Sequence, residues 1–147
     1  MPVNLEASID IDAPVKKVFD YLTDPRNREQ WLGGIEKITD LSPGAPRKGY
    51  KWRQTGTIAG RKATADVEIV EFEPDRKFTD RAVTKNVEAR ITVRFAVIAT
   101  GTRVTSHAEV VRVSGMLKLL QPMIMPQVKK QLHDDLARVK KALESKK

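Results

Sequence analysis

Apolar and polar residues alternate along most of this chain, and the period of the pattern changes twice. Val3, Leu5, Ala7, Ile9 and Ile11 alternate with Asn4, Glu6, Ser8 and Asp10, a period of two that predicts a half-buried strand. Asp12 then offers a helix N-cap, with Pro14 near the first helical position. A short amphipathic helix follows, with Val15, Val18, Phe19 and Leu22 on one side, and it stops at Asp24-Pro25. A second short helix ends near Trp31, and Gly33-Gly34 closes the helical region. Ile35 to Leu41 reads as a short strand, and Ser42-Pro43-Gly44-Ala45-Pro46 as a loop with turn chemistry.

From there the period returns to two. The segment Gly49–Ala59 puts Tyr50, Trp52, Gln54 and Ile58 on one face, and Lys51, Arg53, Thr55 and Thr57 on the other. Gly60-Arg61 makes a turn, after which Ala63, Ala65, Val67 and Ile69 alternate with Lys62, Thr64, Asp66 and Glu68. Glu73-Pro74-Asp75-Arg76 turns again, and Phe78, Asp80 and Ala82 alternate with Thr79, Arg81 and Val83. Val87, Ala89, Ile91, Val93, Phe95 and Val97 share the face of the next strand, and Thr100-Gly101 leads into a last strand, Thr102–Val113. Successive alternating segments with hairpin spacing predict an antiparallel meander with one wet face.

The final change is to a helical period. Leu117, Leu120, Ile124, Val128, Leu132, Leu136, Val139 and Leu143 recur every three or four residues, which is one apolar helical face. Pro122 and Pro126 interrupt it, and proline inside a helix removes a hydrogen bond. The long helix is therefore expected to start around Pro122 or Pro126, after a looser turn at Gly115–Gln121, with a kinked continuous helix as the alternative. The layout is strand, two short helices, six strands, long helix. A long helix with an apolar face must lie across the open apolar face of the sheet, which makes the fold α+β, with about seven strands in all.

The order of these motifs resembles the START-like (SRPBCC) superfamily, polyketide cyclase/dehydrase-like branch. The resemblance is carried by Ala13-Pro14, Val18-Phe19, Leu22-Thr23-Asp24-Pro25 and Trp31, and extends through Gly49-x-x-Trp52-Arg53, Val70-Glu71-Phe72-x-Pro74, Gly101-Thr102-x-Val104 and Gly115-Met116-Leu117. It covers essentially the whole chain, residues 1–147, as one ligand-binding domain. It implies a helix-grip fold, in which a curved antiparallel sheet grips the long C-terminal helix across its concave face and leaves a cavity between them. The family holds lipid carriers, ligand sensors and a few enzymes.

Composition narrows the chemistry. The 147 residues are 40% hydrophobic and 31% charged, as expected of one globular domain. Cysteine is absent, which removes disulfides, thiolate metal sites and a cysteine nucleophile. The opening MPVNLEASID is no signal peptide, and no apolar run approaches the roughly 20 residues of a membrane span, so the cytoplasm is the expected location. The net charge is +8, of which +5 falls on residues 116–147 (eight basic, three acidic). That bias suits a solvated helix face, an anionic membrane surface or an acidic partner. Nucleic acid is not expected, because aromatics are only 5% and no basic run is interleaved with them.

No cofactor, metal or catalytic set emerges. His107 and His133 lie on a strand and a helix, without His-x-x-x-His or His/Cys spacing. Ser106 and His107 are adjacent on a strand and face opposite ways. No Gly-x-Ser-x-Gly elbow or phosphate-binding loop is present.

The positive case is a cavity. The candidate lining includes the apolar Trp52, Phe78, Ile91 and Phe95 from the strands, and Leu120, Ile124 and Val128 from the helix. Tyr50, Gln54, Asp80 and Ser106 supply the inward polar groups, and Trp31 with Gly33-Gly34 borders the mouth. Apolar walls with a few polar groups describe a small-molecule site. The two short helices are expected to close the end of the sheet opposite the meander turns. Together with the Met-rich segment 116–126 they would form a gate. Three readings follow: a binder or carrier of a lipid-like or polycyclic molecule; a cyclase/aromatase-like enzyme using Asp80, Tyr50 or Ser106; and an interaction module that uses the basic helix at a membrane or protein surface. The missing acid/base constellation favours the first.

Overall fold

Alternation on this scale produces one seven-stranded antiparallel sheet, seen in a computed structural model that describes residues 3–58 and 61–145. The strands are β1 (Val3–Ile11), β2 (Ile35–Thr39), β3 (Lys51–Ile58), β4 (Arg61–Glu73), β5 (Lys77–Val83), β6 (Val87–Ile98) and β7 (Gly101–Val113). Their spatial order is β1-β7-β6-β5-β4-β3-β2, so the first strand is added to the last. Of the expected Gly60-Arg61 turn, Arg61 opens β4 and Gly60 lies outside the described residues, as does Ala59. Register shifts interrupt the ladders between Ile69 and Glu71, between Glu88 and Ala89, and between Ile35 and Lys37. Such irregularities bend a strand and deepen its twist.

Between β1 and β2 lie α1 (Val15–Thr23), a 3-10 turn (Pro25–Asn27) and α2 (Arg28–Trp31). The N-cap of α1 is Pro14 and no side chain caps it, which corrects the expectation for Asp12. The extended backbone of Pro14, at ψ 147°, delays the first helical residue to Val15. Asp24 instead caps the 3-10 turn, its side chain accepting from the backbone N–H of Arg26.

The inward face of the sheet has two unlike ends. At one, Phe19 of α1 sits in an aromatic cluster, with ring centres 5.3 Å from Phe72, 6.1 Å from Phe78 and 5.1 Å from Phe95. Edge-to-face rings at these distances add to area burial. Val18 and Leu22 are buried beside them. This places α1 at the end carrying the 73–76 and 98–101 turns, not opposite the meander turns as expected. The cause is visible at Gly101 (φ +142°), where a Cβ would collide with the carbonyl oxygen of Ile11. Close by, the Thr102 hydroxyl donates to the Ala13 carbonyl at 2.8 Å. These contacts bind the start of α1 to that turn.

α3 (Met116–Glu144) is a single helix with both prolines inside it. The expected start near Pro122 or Pro126 is thus corrected to the continuous alternative. Pro122 and Pro126 both lie on exposed positions, so the rungs they remove face water, which can satisfy the freed carbonyls. Gly115 at φ +65° turns the chain into the helix. The C-terminal half of α3 buries Leu136, Val139 and Leu143 against Ala7, Ile11, Val18 and Phe19. No helix among the described residues is long and apolar enough to cross a membrane.

Candidate ligand-binding site

At the end of the sheet away from the phenylalanines, the inward positions are small. Gly56, Ala63, Ala65, Ala82, Ala89 and Ala108 form a band across β3 to β7. The pairings Gly56↔Ala63 and Ala82↔Ala89 keep small residues side by side, and Gln54 stands opposite Ala65. Above this band the N-terminal half of α3 contributes Gln121, Ile124, Met125, Val128, Gln131 and Leu132. The space left between them is a cavity of about 320 Å³. The helix spans it because alanine side chains cannot reach across.

Its third side is the segment after α2, Leu32 to Ile35. The Gly33 N–H donates to Asp135 Oδ1 at 2.9 Å, and the Gln131 side-chain amide donates to the Gly33 carbonyl. Arg138 Nη1 donates to Asp135 Oδ1 at 2.7 Å and to the Trp31 carbonyl at 3.4 Å. Gly34 (φ +81°) lets its carbonyl accept from the Thr57 N–H at 2.9 Å. A Cβ on Gly56 would stand 2.5 Å from that carbonyl oxygen. The loop is therefore latched to α3 at residues 131–138, rather than at the 116–126 segment expected from the sequence. Burial raises the Asp135 carboxyl to about 6, against the Gly33 N–H and Arg138, which hold it down.

Deeper in the fold lies an ion pair. Arg28 of α2 donates to Asp80 of β5, with side chains only 8% and 3% exposed. The Arg28 guanidinium carbon sits 4.7 Å from the ring centre of Trp52 and 5.5 Å from that of Trp31, distances at which a cation is attracted to a ring face. Burial pushes the Asp80 carboxyl up, with Arg28 pulling the other way. Among the described residues, Asp80 Oδ1, Arg28 Nε and Trp31 Nε1 have no hydrogen-bond partner.

Of the twelve residues expected to line the cavity, Gln54, Ile91, Ile124 and Val128 stand on its wall. Trp31, Trp52 and Asp80 gather around Arg28, and Tyr50 packs against Trp52. Phe78 and Phe95 stack in the aromatic cluster. Ser106 is buried on β7, and Leu120 is half-buried on α3. His107 lies on the outer face, where its ring meets Asn4 Oδ1 at 2.9 Å. Among the described residues no three His, Cys, Asp or Glu side chains gather as a metal's ligands would. Sequence reasoning missed Arg28 and the alanine band. The first reads as a surface base in a short polar helix, and the second as ordinary strand filler. The wall offers amides, hydroxyls and methyl groups, suited to holding an apolar body and a few polar substituents.

The comparisons with known proteins agree with this architecture. Aromatase/cyclase Zhui from Streptomyces sp. R1128 superposes with a TM-score of 0.82 at 19% identity, covering 98% of this chain and 94% of that one. TTHA0849 from Thermus thermophilus gives 0.80 at 16% identity, covering 97% and 98%. Ara h 8.0201 gives 0.74 at 11% identity, covering 99% of each. These likenesses show the helix-grip fold. None of the curated protein sequences matches the chain. The family model described as polyketide cyclase / dehydrase and lipid transport matches residues 2–144, and the chain belongs to that START-like family.

Proposed function

We propose that the protein is a cytoplasmic binder or carrier of a hydrophobic small molecule, lipid-like or polycyclic, held between the sheet and α3. The observation that supports this most is the cavity of about 320 Å³ walled by the alanine band and by Ile91, Ile124 and Val128. Its size falls within the range of ligand sites. Gln54 and Gln121 are the proposed polar contacts. A cyclase-like reaction would need a group that moves protons within reach of the substrate. Among the described residues, Asp80, Tyr50 and Ser106 do not line the cavity, and its one carboxyl, Asp135, is engaged by Gly33 and Arg138. The geometry therefore supports binding over catalysis.

Native mass spectrometry of the gently purified protein, with thermal shift against apolar ligands, tests the reading. The expected result is a co-purified apolar mass or a stabilising ligand, lost in Ala89→Phe, which fills the band. A protein that carries no such mass and shifts with none of the ligands would overturn it.

A further inference from the structure

The outer side of the N-terminal half of α3 is the opposite of its inner side in one respect: no described residue covers its apolar side chains. Leu119 and Met123, one turn apart, are 80% and 71% exposed. They are two of only three large apolar side chains exposed by more than 70% among the described residues, the third being Val97. Lys118, Lys129 and Lys130 are exposed around them. From residue 116 to residue 133 the sequence has no Asp or Glu. The sole ion pair these lysines make among the described residues is Lys130–Asp134, at 3.1 Å and open to water, which an external anion displaces easily. A helix with apolar residues on its outer face, flanked by lysines without acidic neighbours, has the composition of an interfacial helix.

We infer that residues 118–130 of α3 dock on a membrane surface bearing anionic lipid. Leu119 and Met123 enter the headgroup boundary, and the three lysines meet the lipid phosphates and carboxylates. Charge decides between occupants. A second copy of this chain would bring three lysines against three lysines, whereas an anionic surface complements them. The docking face backs directly onto the cavity wall, because Gln121, Ile124, Met125 and Val128 of the same turns line the cavity. Pro122 and Pro126 remove two helical rungs there, so these turns are the part of α3 that tilts most readily. The inference stands on the surface alone and does not require the cavity to hold a ligand.

Co-sedimentation with vesicles tests it, using phosphatidylcholine alone and phosphatidylcholine with phosphatidylserine at two to one. The full chain should bind the mixed vesicles, ignore the neutral ones and be released by salt. Each lysine near an anionic surface strengthens binding about fivefold. Lys118→Gln/Lys129→Gln/Lys130→Gln should therefore weaken it roughly a hundredfold. Leu119→Glu/Met123→Glu should abolish it at unchanged melting temperature. All three substituted lysines and both apolar residues are exposed, so the variants should fold as the parent does. Equal binding to neutral vesicles overturns the inference, as does no binding to either kind. It is also overturned if light scattering shows a dimer that Leu119→Glu/Met123→Glu dissociates, since the face would then be a contact between copies.

Discussion

Replacing Arg28 with methionine isolates what its ion pair does. Methionine keeps most of the side-chain volume between Trp31 and Trp52 and deletes the charge. Asp80, only 2% exposed, is then left without a counter-ion. It can stay in the core only by taking up a proton. At pH 7 that means protonating a group whose unfolded pKa is about 3.9, which costs about 4.2 kcal/mol at 1.36 kcal/mol per unit. At pH 5 the same step costs only about 1.5 kcal/mol. The sign follows from the folded carboxyl lying above its unfolded value: the variant is nearest to the parent in acid, and its deficit grows as pH rises toward neutrality. The lost cation–ring contacts add about 0.5–1 kcal/mol each, independent of pH. Urea titrations of the parent and of Arg28→Met at both pH values measure the difference. Arg28→Met/Asp80→Leu should recover most of the loss at pH 7, as apolar replacements of buried pairs do. A deficit equal at the two pH values, or under about 1 kcal/mol at pH 7, would refute the reasoning.

Two further outcomes follow from the latch. Asp135 is held near 6 in the fold against 3.8 as the reference, so its contribution to stability is complete below about pH 4 and is lost as pH rises to about 6. Asp135→Asn removes that slope, and the parent-minus-variant difference in melting temperature should change across this window and be flat above it; a flat difference throughout would contradict the assignment. Gly56→Ala pushes a methyl group against the Gly34 carbonyl, which should destabilise by about 1–3 kcal/mol. It should also speed exchange of the Thr57 amide bonded to that carbonyl, and unchanged exchange would show that the loop yields freely.

How much of this was legible depends on which force sets each feature. Strand alternation and the three-four spacing of Leu132, Leu136, Val139 and Leu143 follow directly from burial on one face, and both are found in place. The continuous course of α3 through Pro122 and Pro126 was not, because whether a missing rung is tolerated depends on which side of the helix meets water, and only packing decides that. Inward positions were recognisable, but pattern alone cannot tell an inward residue that touches a neighbour from one that faces a void. The discriminating signal was size. Phe72, Phe78 and Phe95 fill one end of the inward face, and Ala65, Ala82, Ala89 and Ala108 hollow out the other. Arg28 escaped notice because its partner lies 52 residues away. Asp80 at an inward position was the clue that some base must reach it.

The division of α3 has a mechanical consequence. Its C-terminal half is clamped by Leu136, Val139 and Leu143 in the main core, and its N-terminal half overhangs a hollow. The helix is thus a beam held at both ends, by the Gly33 latch and the main core at one, and at the other by Ser114-Gly115, where the Ser114 N–H donates to the Asn86 carbonyl at 2.8 Å. Bowing of the span between them disturbs few of the contacts that hold the sheet together. Motion that admits a guest can therefore be cheap while global unfolding stays expensive.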